Sequence, residues 1–149
     1  MTTASPIPVE LQKRLPLGTK IRLGAEVIST YARVRWLLMR RVGLPATLVA
    51  LRVGVEPADA DTAPSEESLR VGRRLARIVD RTLGPLPADS RCLVRSLVLV
   101  GLLAHRGIAS TLVIGVRVEP AFAAHAWVKA GGWALLPAGR GEYERLLEL

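Results

Sequence analysis

Aromatic residues make up only 4% of this 149-residue chain, and cysteine occurs once. So few aromatics supply no base-stacking platform, and no helix-turn-helix, zinc-finger or ribonucleoprotein motif is visible, which argues against nucleic acid as a partner. A single cysteine cannot close an internal disulfide, so nothing points to a secreted scaffold; a free thiol in a reducing, cytoplasmic setting is the expectation. One cysteine and two separated histidines do not make up a zinc site, and neither metal nor organic cofactor is expected. Long apolar runs are missing as well: Arg40, Arg41 and Arg52 interrupt WLLMRRVGLPATLVALRVGV, so no transmembrane segment is expected. The opening MTTASPIPVELQKRLP lacks a continuous apolar core before a small-residue cleavage site, and does not read as a signal peptide.

Acidic residues are few and unevenly placed. The chain carries 21 Lys and Arg against 13 Asp and Glu, a net charge of +8. Residues 1–55 hold nine basic groups and two acids (+7), 56–68 hold five acids alone (−5), and 69–149 hold twelve basic groups and six acids (+6). This balance is compatible with nucleic acid, anionic lipid or an acidic peptide, and does not choose among them.

The length suits one ordinary domain with an appendage. EPADADTAPSEES, residues 56–68, has no apolar periodicity and reads as an exposed linker between a helical N-terminal region, 1–55, and a core, 69–149. In the first region Leu23, Val27, Tyr31, Val34, Leu38 and Val42 recur at helical spacing, which predicts an amphipathic helix over about 19–42. Pro45 is expected to stop it, with a short apolar segment over 46–55. The helix carries Arg33, Arg35, Arg40 and Arg41, and either docks a partner or an anionic surface or covers the core.

After the linker, Ser68 is a candidate N-cap for a helix ending at Gly84. RCLVRSLVLVGLLAHRGI, residues 91–108, predicts a second helix capped by Asp89 or Ser90 and closed by Gly107. TLVIGVRV (111–118), AAHAWVKA (123–130) and WALLP (133–137) predict three strands, the last two joined by a Gly131-Gly132 turn. The fold class is therefore α+β, a helix packed on a small antiparallel sheet.

Cys92 falls in the first turn of its helix. Unpaired N–H groups and the macrodipole there favour a thiolate, and Arg91 and Arg95 would add to the effect if close. Burial as a small apolar residue is the alternative. His125 lies 33 residues on, on a strand face shared with Trp127 and Lys129 and flanked by small residues. A helix-borne thiol facing a strand-borne imidazole is a nucleophile and general-base pair; a structural histidine is the alternative. His105 lies thirteen residues from Cys92, about 20 Å of helix, too far to act with it. The backbone N–H of Cys92 is a candidate oxyanion donor. Ser96, one turn later, either shapes the cleft or packs, and Trp127 and Trp133 either line a peptide groove or fill the core.

The motifs RCLVRSLVLVGLLAHRGI, TLVIGVRVEPAFAAHAWVKAGG and EYERL together resemble the lasso peptide leader peptidases, bacterial cysteine proteases of the transglutaminase-like superfamily. The resemblance covers about residues 69–149. It implies a transglutaminase/papain-like core with the nucleophile, Cys92, at a helix N-terminus and His125 as general base. It implies removal of the leader from a ribosomally made precursor peptide, ahead of ring closure by an ATP-dependent macrocyclase. The family's leader is commonly held by a small, mostly β-strand recognition domain; residues 1–55 are too short and too helical for it, so the resemblance implies a separate leader-recognition protein as partner. One position departs from the pattern. The family often carries an Asp about a dozen residues after the histidine, where this chain has Pro137 and Ala138. The ladder expected from the Gly131-Gly132 turn sets Ala138 opposite His125. Glu142 folding back, a backbone carbonyl, or a simple Cys–His dyad are the three ways left to orient the imidazole. An acyl transferase on the same fold, or a non-catalytic binding module, are the rival functions.

Overall fold

The computed structural model describes residues 16–53, 63–86, 91–136 and 142–149. Helix α1 spans Leu17–Met39 and turns Val27, Thr30, Val34 and Leu37 inward, the face its apolar spacing marks. It stops at a turn in which Arg41 takes a positive φ of 54°, well before Pro45. Pro45 does not terminate α1 as expected: it sits in the first turn of α2 (Leu44–Leu51), where a missing N–H costs no hydrogen bond. Helix α3 spans Glu66–Leu83, so the last three residues of the expected linker are helical. Its cap is Ser65 rather than Ser68: Ser65 Oγ accepts from the Ser68 N–H at 3.1 Å, the reciprocal of the role assigned from sequence. Residues 56–62 of that linker lie outside the described residues, as do the expected caps Asp89 and Ser90.

Helix α4 (Arg91–Ala104) is the centre of the molecule. Val94, Leu97, Val98, Leu99, Val100, Leu102 and Leu103 are all buried, because α1, α2, α3 and the sheet enclose the helix on every side. Gly107, at φ 66°, closes it as expected. Arg106 holds α1 to this end through a two-pronged ion pair with Glu26, both contacts 2.8 Å.

Four antiparallel strands follow: β1 (Thr111–Arg117), β2 (Ala123–Ala130), β3 (Trp133–Ala134) and β4 (Glu144–Glu148), in the order β3-β2-β1-β4. The β2–β3 turn has φ 51° at Gly131 and 85° at Gly132, the left-handed pair that a tight hairpin needs. A side chain at Gly131 would also strike Pro64, so the hairpin tip rests on the approach to α3. The third strand is shorter than expected. The fourth was not expected at all: ERLLE has adjacent leucines and five exposed residues, so it shows neither alternation nor burial and is held by backbone pairing to β1. Leu149 extends that pairing with bonds of 2.8 and 2.9 Å to Leu112. Arg52, after α2, donates to the carbonyls of Ser110 (2.8 Å) and Leu149 (3.0 Å) and pins this edge of the sheet to the helices.

Candidate functional site

Residues paired across antiparallel strands project to the same face of the sheet. One face carries Leu112, Ala126, Val128 and Ala130, with Leu135 continuing the row opposite Val128 through a 2.8 Å backbone bond. This face meets the helices, because Leu135 stands against Gly72 of α3, where Leu103 of α4 also arrives. The other face carries the pairs Val113–Trp127 and Gly115–His125. His125 therefore shares a face with Trp127 and Lys129, as its alternation predicts.

Helix and strand are joined at the edge of β2. The Val128 carbonyl bonds to the β3 side, and the Ala126 carbonyl, two residues earlier, points the same way where β3 has ended. The wholly buried Ser96 takes that place, its Oγ donating to the Ala126 oxygen at 3.1 Å. Ser96 is thus neither a wall of an open cleft nor simple filling; it locks the first half of α4 to the strand, one residue from His125. The two elements run in the same sense, since Ser96 meets Ala126 while Leu103 lies near Leu135, the partner of Val128. One helical turn back from Ser96 is about 6 Å, slightly under two strand residues, which sets Cys92 level with Ala124 and His125. Cys92 is half-buried and packs against the core, and Arg95 is engaged elsewhere, its guanidinium 2.7 Å from Asp80 of α3. The side chain of Arg91 lies outside the described residues.

His125 is half-buried and in contact with two aromatic rings. Trp127 stacks on it at 6.0 Å between centroids and 20° between planes, and Tyr143 lies at 5.5 Å and 36°. The Arg117 guanidinium stands over the Tyr143 ring, 5.3 Å from its centre. Trp127 is buried and backs the imidazole instead of lining an open groove, whereas Trp133 is exposed at the hairpin. Glu142 is exposed, and it is its neighbour Tyr143 that stands against His125. Tyr143 was missed from sequence, because its approach depends on the unforeseen pairing of β4 with β1. Positions 137 and 138, including the expected pairing of Ala138 with His125, lie outside the described residues. His105 is exposed beyond the opposite end of α4.

This is an α+β protein in which a helix opening on a cysteine is locked to the edge of an antiparallel strand that bears a histidine. A family model for the transglutaminase-like superfamily matches residues 28–148, and the chain belongs to that superfamily, which generally includes cysteine peptidases and acyltransferases. The match starts within α1 and runs through β4, so helical and sheet parts both fall inside it. No curated protein and no solved structure matches the chain.

Proposed function

We propose that the protein is a cysteine peptidase that removes the leader from a ribosomally made lasso peptide precursor, together with a separate leader-recognition protein and upstream of an ATP-dependent macrocyclase. The observation that carries this is the Ser96–Ala126 hydrogen bond, which brings the Cys92 turn of α4 level with His125 in a member of this superfamily. The Cys92 thiolate attacks the scissile carbonyl, and the Cys92 backbone N–H donates to the developing oxyanion. His125 accepts the thiol proton and returns it to the leaving amine; water then attacks the thioester, releasing the leader as a free acid and restoring the thiol. Trp127 and Tyr143 keep the imidazole in one plane. Because α4 packs under the face of the sheet opposite His125, this reading has the thiol approach the imidazole round the β2 edge rather than across a face. A recognition protein that holds the leader raises the local concentration of the cleavage site, so this small cleft needs to read only a few residues.

The test is mass spectrometry of a precursor incubated with the recognition protein and with wild type, Cys92→Ala or His125→Ala. Leader released as a free acid by wild type only is the expected result, with each variant slower by at least about 10³-fold. Equal cleavage by all three, or by none, defeats the reading. With a competing amine present, a leader–amine adduct in place of the acid would assign the same pair to acyl transfer.

A further inference from the structure

The outer side of α1 presents a row of large apolar side chains to solvent. Leu17, Ile21, Ile28 and Met39 are 73%, 64%, 47% and 68% exposed, and at 100° per residue they fall within about 40° of one another. The exposed Arg35 lies on the same line and interrupts the row between Ile28 and Met39, its long stem able to carry the charge out to the headgroup level. Among the described residues, a side chain at Gly18 or Gly24 would meet nothing within 4 Å, so this side of the helix is open at both positions. Over 23 residues the ridge runs for about 34 Å. Arg22, Arg33 and Arg40 form a second row about 120° further round, all exposed, with Arg33 also donating to the Ala50 carbonyl at 2.9 Å. Trp36 sits between the two rows, 48% exposed, with the Arg40 guanidinium 4.1 Å from its ring centre. The helix has one acid, Glu26, and Arg106 holds it.

We propose that α1 is a membrane-surface element that lies along an anionic lipid bilayer, its Leu17–Met39 ridge among the acyl chains and its arginines at the phosphates. Charge chooses the ligand class: exposed arginines with the only carboxylate already neutralised attract an anionic surface. Shape then favours lipid over a protein. The apolar side chains form a ridge on one helix, and a fluid interface receives a ridge without needing a matching groove. An indole at the boundary between apolar and basic rows, stacked with an arginine, matches the amphipathic level of the headgroups. Among the described residues no helix is long and apolar enough to cross a membrane, so the contact is peripheral. It is independent of the Cys92 chemistry.

Flotation of the full chain with phosphatidylcholine vesicles, with and without phosphatidylglycerol, tests the proposal. Binding to the anionic vesicles alone, weakening as salt rises, is expected. Ile21→Glu with Ile28→Glu should abolish it, and Arg22→Gln with Arg40→Gln should weaken it about 25-fold, roughly fivefold per arginine. Both variants change exposed positions and should melt like wild type. No flotation with anionic vesicles, equal flotation with neutral ones, or undiminished flotation of the Ile21→Glu, Ile28→Glu protein would overturn it. So would a wild-type dimer that Ile21→Glu splits in the absence of vesicle binding, which would give the ridge to a second copy.

Discussion

Gly115 stands opposite His125 in the β1–β2 ladder, and replacing it with alanine probes the packing behind the imidazole. A Cβ there would lie 2.9 Å from Trp127 Cη2, 2.9 Å from Tyr143 Cβ and 3.0 Å from the Glu144 carbonyl oxygen. Two of these three are bad neighbours, since Tyr143 Cβ and the Glu144 oxygen cannot move without shifting the backbone of β4. Overpacking of this kind costs about 1–3 kcal/mol. Against it stands the lower entropy of an unfolded chain with alanine for glycine, worth about 0.4–1 kcal/mol. Gly115→Ala should therefore lose about 1–2 kcal/mol, read in urea as a lower midpoint at unchanged slope. Gly24→Ala, in the open middle of α1, is the matched control and should gain up to about 1 kcal/mol. The same clash displaces the two rings that flank His125, so precursor cleavage should slow at temperatures where the variant is still folded. A Gly115→Ala protein as stable as wild type would refute the close approach of β4 and both aromatic rings to this position.

Two further substitutions test the helices. Ser65→Ala should cost about 1 kcal/mol in urea midpoint terms, and Ser68→Ala distinctly less, because Ser65 is the cap; the reverse order would return the cap to Ser68. Hydrogen bonding by Arg106, with a Coulombic contribution from the same guanidinium, holds the Glu26 carboxyl below its ordinary value of 4.5 against the opposing effect of burial. A depressed folded-state pKa makes the pair's contribution full above the unfolded value and lost as pH falls through the folded one. Wild type should accordingly exceed Glu26→Gln in stability at neutral pH, with the gap closing below about pH 4.5. Urea midpoints for both proteins at pH 7 and pH 3 measure this, and a gap of the same size at both would show that the ion pair is not its source.

Features whose causes are local were legible in the amino-acid sequence. Apolar residues at helical spacing drew α1 and α4, β-branched and alternating residues drew β1 and β2, and Gly131-Gly132 could only be a tight turn between strands. The first-turn position of Cys92 and the strand position of His125 were legible for the same reason. Where two local signals competed, sequence chose wrongly: Ser65 and Ser68 are both good caps, and Pro45 can end one helix or open another. Tertiary structure alone decided what depends on partners far along the chain. β4 has no burial pattern of its own, since the hydrogen bonds that make it a strand belong to β1, about thirty residues earlier. Ser96 acquires its meaning from a carbonyl thirty residues later, exposed to it because β3 ends early. Tyr143 reaches His125 only because β4 lies beside Gly115, where the lack of a side chain leaves room for it.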